Sequence, residues 1–187
     1  MSRVVTTWFL EMREEAALRP APPPRRPVEL RKAVVPSAEF SRFLYTAVGG
    51  DWYWTDRLPW TYSEWQHWVE RPELSTWAAA QEGSPAGYFE LETQPMPGGG
   101  GETQVEILSF GLLPQFRGAG VGGWLLTEAL RRAWALGPRR LWVHTCSLDG
   151  PAALPNYRAR GLTAYEERTA EKTLPAQPPG PWPGARG

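Results

Sequence analysis

The chain has 187 residues, with 20 Lys plus Arg against 20 Asp plus Glu, 42% hydrophobic residues and one cysteine. This length holds one domain with short tails, and a formal net charge of zero supplies no overall basic field for nucleic acid or anionic lipid. The lone cysteine excludes an internal disulfide, and with two histidines it leaves too few ligands for most zinc sites, so no metal and a cytoplasmic setting are expected.

No apolar run approaches the ~20 residues of a membrane-spanning helix. The apolar stretch Val4 to Leu10 is broken by Thr6 and Thr7 and followed at once by Glu11, which reads as part of the fold rather than a secretory signal. Proline and glycine concentrate at 20–27, 95–101 and 175–187, and the chain between them reads as globular. The expected organisation is a domain over 1–174 and a flexible tail over 175–187.

Val4 to Met12 and Val28 to Val35 are rich in β-formers and predict two strands joined by a stiff Pro-rich connector. Ser37 predicts the N-cap of a helix with Phe40, Phe43, Leu44 and Val48 as its apolar face, closed by Gly49 and Gly50. Six tryptophans follow between Trp52 and Trp77. Trp65, Trp68 and Trp77 read as core, on a helix from Glu64 to Glu70 capped by Ser63 or just beyond it. Trp52, Trp54 and Trp60 share a loop with Asp51, Asp56 and Arg57, a mixture suited either to packing or to a pocket for an amine.

Thr76 to Ala80 and Ala86 to Glu92 predict a hairpin turning at Glu82-Gly83-Ser84-Pro85. Gln104 to Leu112 and Leu141 to Thr145 predict central strands on either side of a helix from Gly122 to Leu136. A helix from Pro151 to Arg160, stopped by Gly161, and a strand from Leu162 to Thr173 complete the order. Arg131, Arg132, Arg139 and Arg140 end a helix, where they meet its dipole, and do not make a nucleic-acid face.

The most informative stretch is Gln115-Phe116-Arg117-Gly118-Ala119-Gly120-Val121-Gly122-Gly123, between a strand and a helix. Glycines there expose backbone amides along the helix axis, where an anionic pyrophosphate can sit. The spacing is neither that of a dinucleotide fold nor that of a nucleotide P-loop. Gln115-x-x-Gly118-x-Gly120, preceded by a strand ending at Pro114, resembles the signature of the GCN5-related N-acetyltransferase superfamily. Downstream, Asp149, Ala153, Tyr157, Gly161 and Leu162 fall on that family's N-x-x-x-A-x-x-x-Y-x-x-x-G-F spacing, with Asp for Asn and Leu for Phe.

This resemblance implies an α/β fold with a mixed, mostly antiparallel sheet, a splayed fourth and fifth strand pair, and helices on both faces. It implies acetyl transfer from acetyl-CoA to a primary amine by direct attack. The pantetheine arm would meet Phe110, Leu112 and Leu113, and the pyrophosphate would meet Gln115, Arg117, Gly118, Ala119, Gly120, Val121 and Gly122, with Asp149 beside it. Tyr157 matches the general acid and Glu106 the proton acceptor, with His144 or water as alternatives; Cys146 has no role in a direct transfer. The acceptor implied is a small-molecule amine, with no nucleic acid or membrane partner, and family members often form homodimers. A peptide or protein acceptor and a CoA-binding sensor without turnover are the alternatives.

Overall fold

The computed structural model describes residues 1–185. A seven-stranded sheet is built from β1 (Ser2–Met12), β2 (Glu29–Lys32), β3 (Leu74–Gln81), β4 (Ser84–Pro95), β5 (Thr103–Leu112), β6 (Arg140–Cys146) and β7 (Thr163–Thr173). Helices α1 (Ala38–Gly49) and α2 (Tyr62–Val69) cover one face, and α3 (Val121–Trp134) and α4 (Ala153–Ala159) belong to the other. The order across the sheet is β2-β3-β4-β5-β6-β1-β7, antiparallel except at β5 and β6. The mixed α/β architecture expected from the sequence is therefore the one observed.

Alternation decides which side chains reach each face. On the α3 side, Leu10, Phe89, Leu91, Val105, Ile107, Leu141 and Val143 pack against Leu125, Leu126 and Leu130. On the other side Tyr88 meets Leu44 and Val48 of α1, and Trp65 of α2 packs with Ala38 and Tyr45. Phe40 and Phe43, expected on the buried face of α1, are 36% and 44% exposed instead, because Ser41, Leu44, Tyr45 and Val48 set the inward stripe.

The N-terminal part departs furthest from the sequence reading. β1 and β2 do not adjoin: β2 is one edge of the sheet, and β1 lies between β6 and β7. The Pro-rich connector runs between these places along the α3 face, tied by Arg19 N–H to Arg160 O (3.1 Å) and by Ala21 N–H to Thr127 Oγ1 (2.9 Å). It passes so close to Gly161, whose φ is +99°, that a Cβ there would strike the Ala17 carbonyl. β2 is also shorter than expected, and Val34 and Val35 beyond it are exposed.

Two local corrections have plain causes. Thr61, not Ser63, caps α2, because Thr61 and Glu64 complete a reciprocal capping box. The β3–β4 turn is confined to Glu82 and Gly83, both at positive φ, so the strands continue through Ser84 and Pro85. The segment after Leu174, expected to be a free tail, has no helix or strand through residue 185, yet Gly180 is buried and its N–H donates to Gly50 O at 2.9 Å. The last two residues of that expected tail lie outside the described residues.

Candidate active site

The parallel pairing of β5 with β6 lasts only from Gln104↔Arg140 to Glu106↔Trp142. Beyond it β5 carries a bulge, since Glu90 pairs with Ser109 and Leu91 with Ile107, leaving Leu108 extra. The strands part there and open a cleft of about 1180 Å³ with 107–112 on one wall and Val143, His144 and Cys146 on the other. The β5 edge facing β6 has lost its strand partner, so its backbone groups are available to an extended ligand carrying amides. This is the splayed pair of the sequence reading; it comprises β5 and β6 because Ser2–Met12 adds a strand ahead of them.

At one end of the cleft a 3₁₀ turn over Pro114–Phe116 leads into the glycines. Gly118 and Gly120 hold φ of +78° and +80°, a left-handed conformation that favours glycine. Gly120 caps α3 without a side chain, and the first turn of α3 holds no acidic residue, so its amides and dipole remain suited to an anion. A Gly120→Ala variant is expected to weaken acetyl-CoA binding about 5-fold or more, since an L-residue in this conformation costs about 1–2 kcal/mol. Isothermal titration would show the rise in Kd, and an unchanged Kd would remove the turn from the binding site.

Among the residues assigned to the donor from sequence, Phe110, Leu112, Arg117, Gly118, Gly120, Gly122 and Asp149 line the cleft. Leu113, Gln115, Ala119 and Val121 stand off its wall: Gln115 is exposed, and the Val121 side chain is fully buried in the core. Arg117 is not a free cation. It donates to Asp51 Oδ2 at 2.9 Å and to Leu112 O at 3.2 Å, and it lies 4.9 Å over the Trp52 ring. Its guanidinium therefore fastens the loop after α1 to the glycine turn.

Tyr157 projects from α4 into the cleft with its ring buried, 6.0 Å from Phe110. Burial, and then the charge of Asp149, push its phenol well above the ordinary value, so it stays protonated at neutral pH. Burial and the Asp149 charge act on its hydroxyl, with no hydrogen bond to it from another described residue, so its proton can go to a ligand. Asp149 accepts from Thr145 Oγ1 (2.6 Å) and Cys146 N–H (2.8 Å), closing the turn after β6. Asn156, unnoticed in the sequence, donates to Gly122 O at 3.2 Å and joins α4 to the start of α3.

Glu106 is 5% exposed and stands behind the cleft wall. Its Oε2 accepts from Gln94 Nε2 at 2.7 Å, and its Oε1 lies 3.3 Å from His144 Nδ1. His144 does line the cleft, with its side chain 47% exposed. Cys146 lines it too, but burial, then Asp149, raise its thiol, which disfavours a thiolate.

Part of the tryptophan-rich segment lies on the wall of the cleft. Trp52, Trp54 and Arg57 line the cleft, whereas Trp60 does not. Of the three loop tryptophans weighed between packing and an amine pocket, Trp52 and Trp54 reach the cleft, while Trp60 joins Trp68 around the protein's own Arg57. Arg57 lies 3.8 Å over Trp68 and 5.4 Å over Trp60, and Arg71 lies 3.8 Å over Trp68 as well. Arg57 Nη1 reaches Glu90 Oε2 at 3.0 Å, and Glu90 is fully buried. The sequence also gave no sign of Thr7 and Lys172 on the wall; they arrive through the placement of β1 and β7. Among the described residues no group of three or more His, Cys, Asp or Glu is arranged to hold a metal ion, and no helix is long and apolar enough to cross a membrane.

The family model described as "Acetyltransferase (GNAT) family" matches residues 39–162. The chain belongs to this family, whose chemistry is acyl transfer. Solved structures agree on the fold. An aminoglycoside acetyltransferase from an uncultured soil metagenomic sample, in complex with sisomicin, is 14% identical over 74% of this chain and 90% of its own, with a TM-score of 0.63. A Trypanosoma brucei acetyltransferase is 23% identical over 75% and 95%, with a TM-score of 0.57. A GCN5-related N-acetyltransferase from Sphaerobacter thermophilus is 19% identical over 91% of this chain but 51% of its own, with a TM-score of 0.58. No curated protein matches the chain.

Proposed function

We propose that the protein moves an acetyl group from acetyl-CoA to a primary amine of a small molecule, in one direct step within a ternary complex. The observation that carries this reading is the cleft itself. A glycine turn at a helix N-terminus suits a pyrophosphate, an unpaired strand edge suits a pantetheine arm, and a protonated Tyr157 lines the same cleft. The amine lone pair forms the N–C bond, the C–S bond breaks, and the Tyr157 hydroxyl gives its proton to the leaving sulfur. Glu106 and His144 stand together on the proton-accepting side.

A compact acceptor is supported by the aromatic loop that narrows the site and by the likeness in fold to acetyltransferases of aminoglycosides. A cytoplasmic setting is where acetyl-CoA would be met. The test is titration with acetyl-CoA followed by thiol release with aminoglycosides, polyamines, arylamines, amino acids and peptides. Binding plus release with one amine class is the expected result. Binding with silence across the panel would make the protein a CoA sensor, and absence of binding at millimolar concentration would overturn the proposal.

A further inference from the structure

Resting on that acetyl-transfer reading, we infer that His144 is the group that takes the acceptor's proton and that Glu106 is its positioning residue, the two acting as a buried-carboxylate and exposed-imidazole pair. The carboxylate has the wrong location to work alone. Glu106 is almost fully buried and off the wall of the cleft, while His144 lines the wall with about half its side chain exposed. Nδ1 is the imidazole nitrogen that approaches the carboxylate, at an N···O separation of 3.3 Å, so a ring proton carried on Nδ1 faces an acceptor. Nε2 then keeps its lone pair for the cleft.

The carboxylate is itself held. Gln94 Nε2 donates to Glu106 at 2.7 Å and also to Glu92, while Gln94 Oε1 accepts from Trp142 Nε1 and Gln104 Nε2, each at 3.3 Å. Glu92 in turn is paired with Arg71. This chain of partners fixes Glu106 on β5 while the rings of Trp142 and Phe9, 6.2 and 6.0 Å away, flank the imidazole on β6. Such an arrangement orients a base before substrate arrives.

In the reaction an ammonium acceptor passes one proton to Nε2 of His144 and becomes a neutral amine. Its lone pair forms the N–C bond, the C–S bond breaks, and sulfur takes the proton of Tyr157. The second amine proton returns through solvent to the tyrosine, and the imidazolium gives its proton to solvent. The products are the amide, CoA thiol and one released proton.

The first test needs no acceptor. The chain has two histidines, so nitrogen NMR of the ¹⁵N-labelled protein at pH 8, with His67→Gln for assignment, reads the tautomer of His144 directly. The Nδ1–H form is expected, retained in Glu106→Gln and lost in Glu106→Ala; an Nε2–H form in the unmodified protein overturns the inference. The second test uses acetyl-CoA with sisomicin, spermidine and benzylamine as probes. His144→Ala is expected to lower kcat about 100-fold with the KM for acetyl-CoA unchanged, and added imidazole is expected to recover part of the rate. Full activity of His144→Ala, beside a Tyr157→Phe that is impaired, overturns the pair but leaves acetyl transfer standing. An unmodified protein that neither binds acetyl-CoA nor acetylates any probe overturns both.

Discussion

Replacing Tyr157 with phenylalanine should lower kcat by about 100- to 1000-fold while leaving the KM for acetyl-CoA within a few-fold of its starting value. The expectation follows from what the hydroxyl does and does not touch. The ring is 5% exposed and packs near Phe110, so phenylalanine keeps its volume and its contacts. The hydroxyl lacks a protein partner among the described residues, so its removal leaves no buried group unsatisfied. The loss therefore falls on proton delivery to sulfur, and proton transfer by a placed side chain is worth roughly 10²–10⁴-fold. Steady-state thiol release checks the rate, and a melting curve within about 2 °C of the parent checks the fold. Full activity in the variant would reduce Tyr157 to a packing residue and send the thiolate's proton to water.

Arg57→Ala should be among the most destabilising single substitutions in the chain. The Arg57 and Glu90 side chains are 12% and 1% exposed, and removing the cation strands a carboxylate in the interior. Ser109 Oγ at 3.1 Å, with Thr76 Oγ1 and Trp68 Nε1 at 3.4 Å, remains to solvate it. Breaking one partner of a buried pair costs about 3–5 kcal/mol, which for a domain of this size is a fall in Tm on the order of 10 °C. The guanidinium also stacks on Trp68, so Arg57→Lys should recover only part of the loss. Adding Glu90→Gln to Arg57→Ala should restore much of the Tm, because the amide needs no counter-charge. Thermal unfolding of the three variants decides the matter, and a shift below about 2 °C for Arg57→Ala would show that the pair contributes little.

How much of this could be read in advance follows the range of the forces involved. The glycine turn, α3 and β6 were legible because their signals are local: positive φ, a period near 3.6, and a short apolar run between turn residues. Tyr157 and Asp149 were legible through the resemblance of the stretch from 149 to 162 to the family's pattern, and both line the cleft. The place of β1 was not legible, since a strand's own pattern says which face it buries and nothing about which edge it joins. Glu106 could be flagged as a carboxylate on an apolar strand, but the separation of β5 from β6 beyond Glu106↔Trp142, which leaves His144 in front of it, is a property of two strands together. The aromatic loop was only half legible for a related reason. Composition left packing and an amine pocket both open, and only the fold shows Trp52 and Trp54 on the cleft wall while Trp60 and Trp68 pack on Arg57.

The seat of β1 between β6 and β7 also has a consequence for synthesis. Glu11 meets Arg140 across a sequence separation of 129 residues, and Ser2 meets Glu171 across 169. A ribosome must therefore deliver β6 and β7 before this strand has anything to pair with, so the segment waits through most of translation as an unpaired, β-prone stretch. Closure over such distances is slow. The part of the sheet that carries His144 is accordingly expected to be finished last, and nascent chains halted before residue 140 should still expose residues 2–12 to protease while the hairpin of β3 and β4 has already formed.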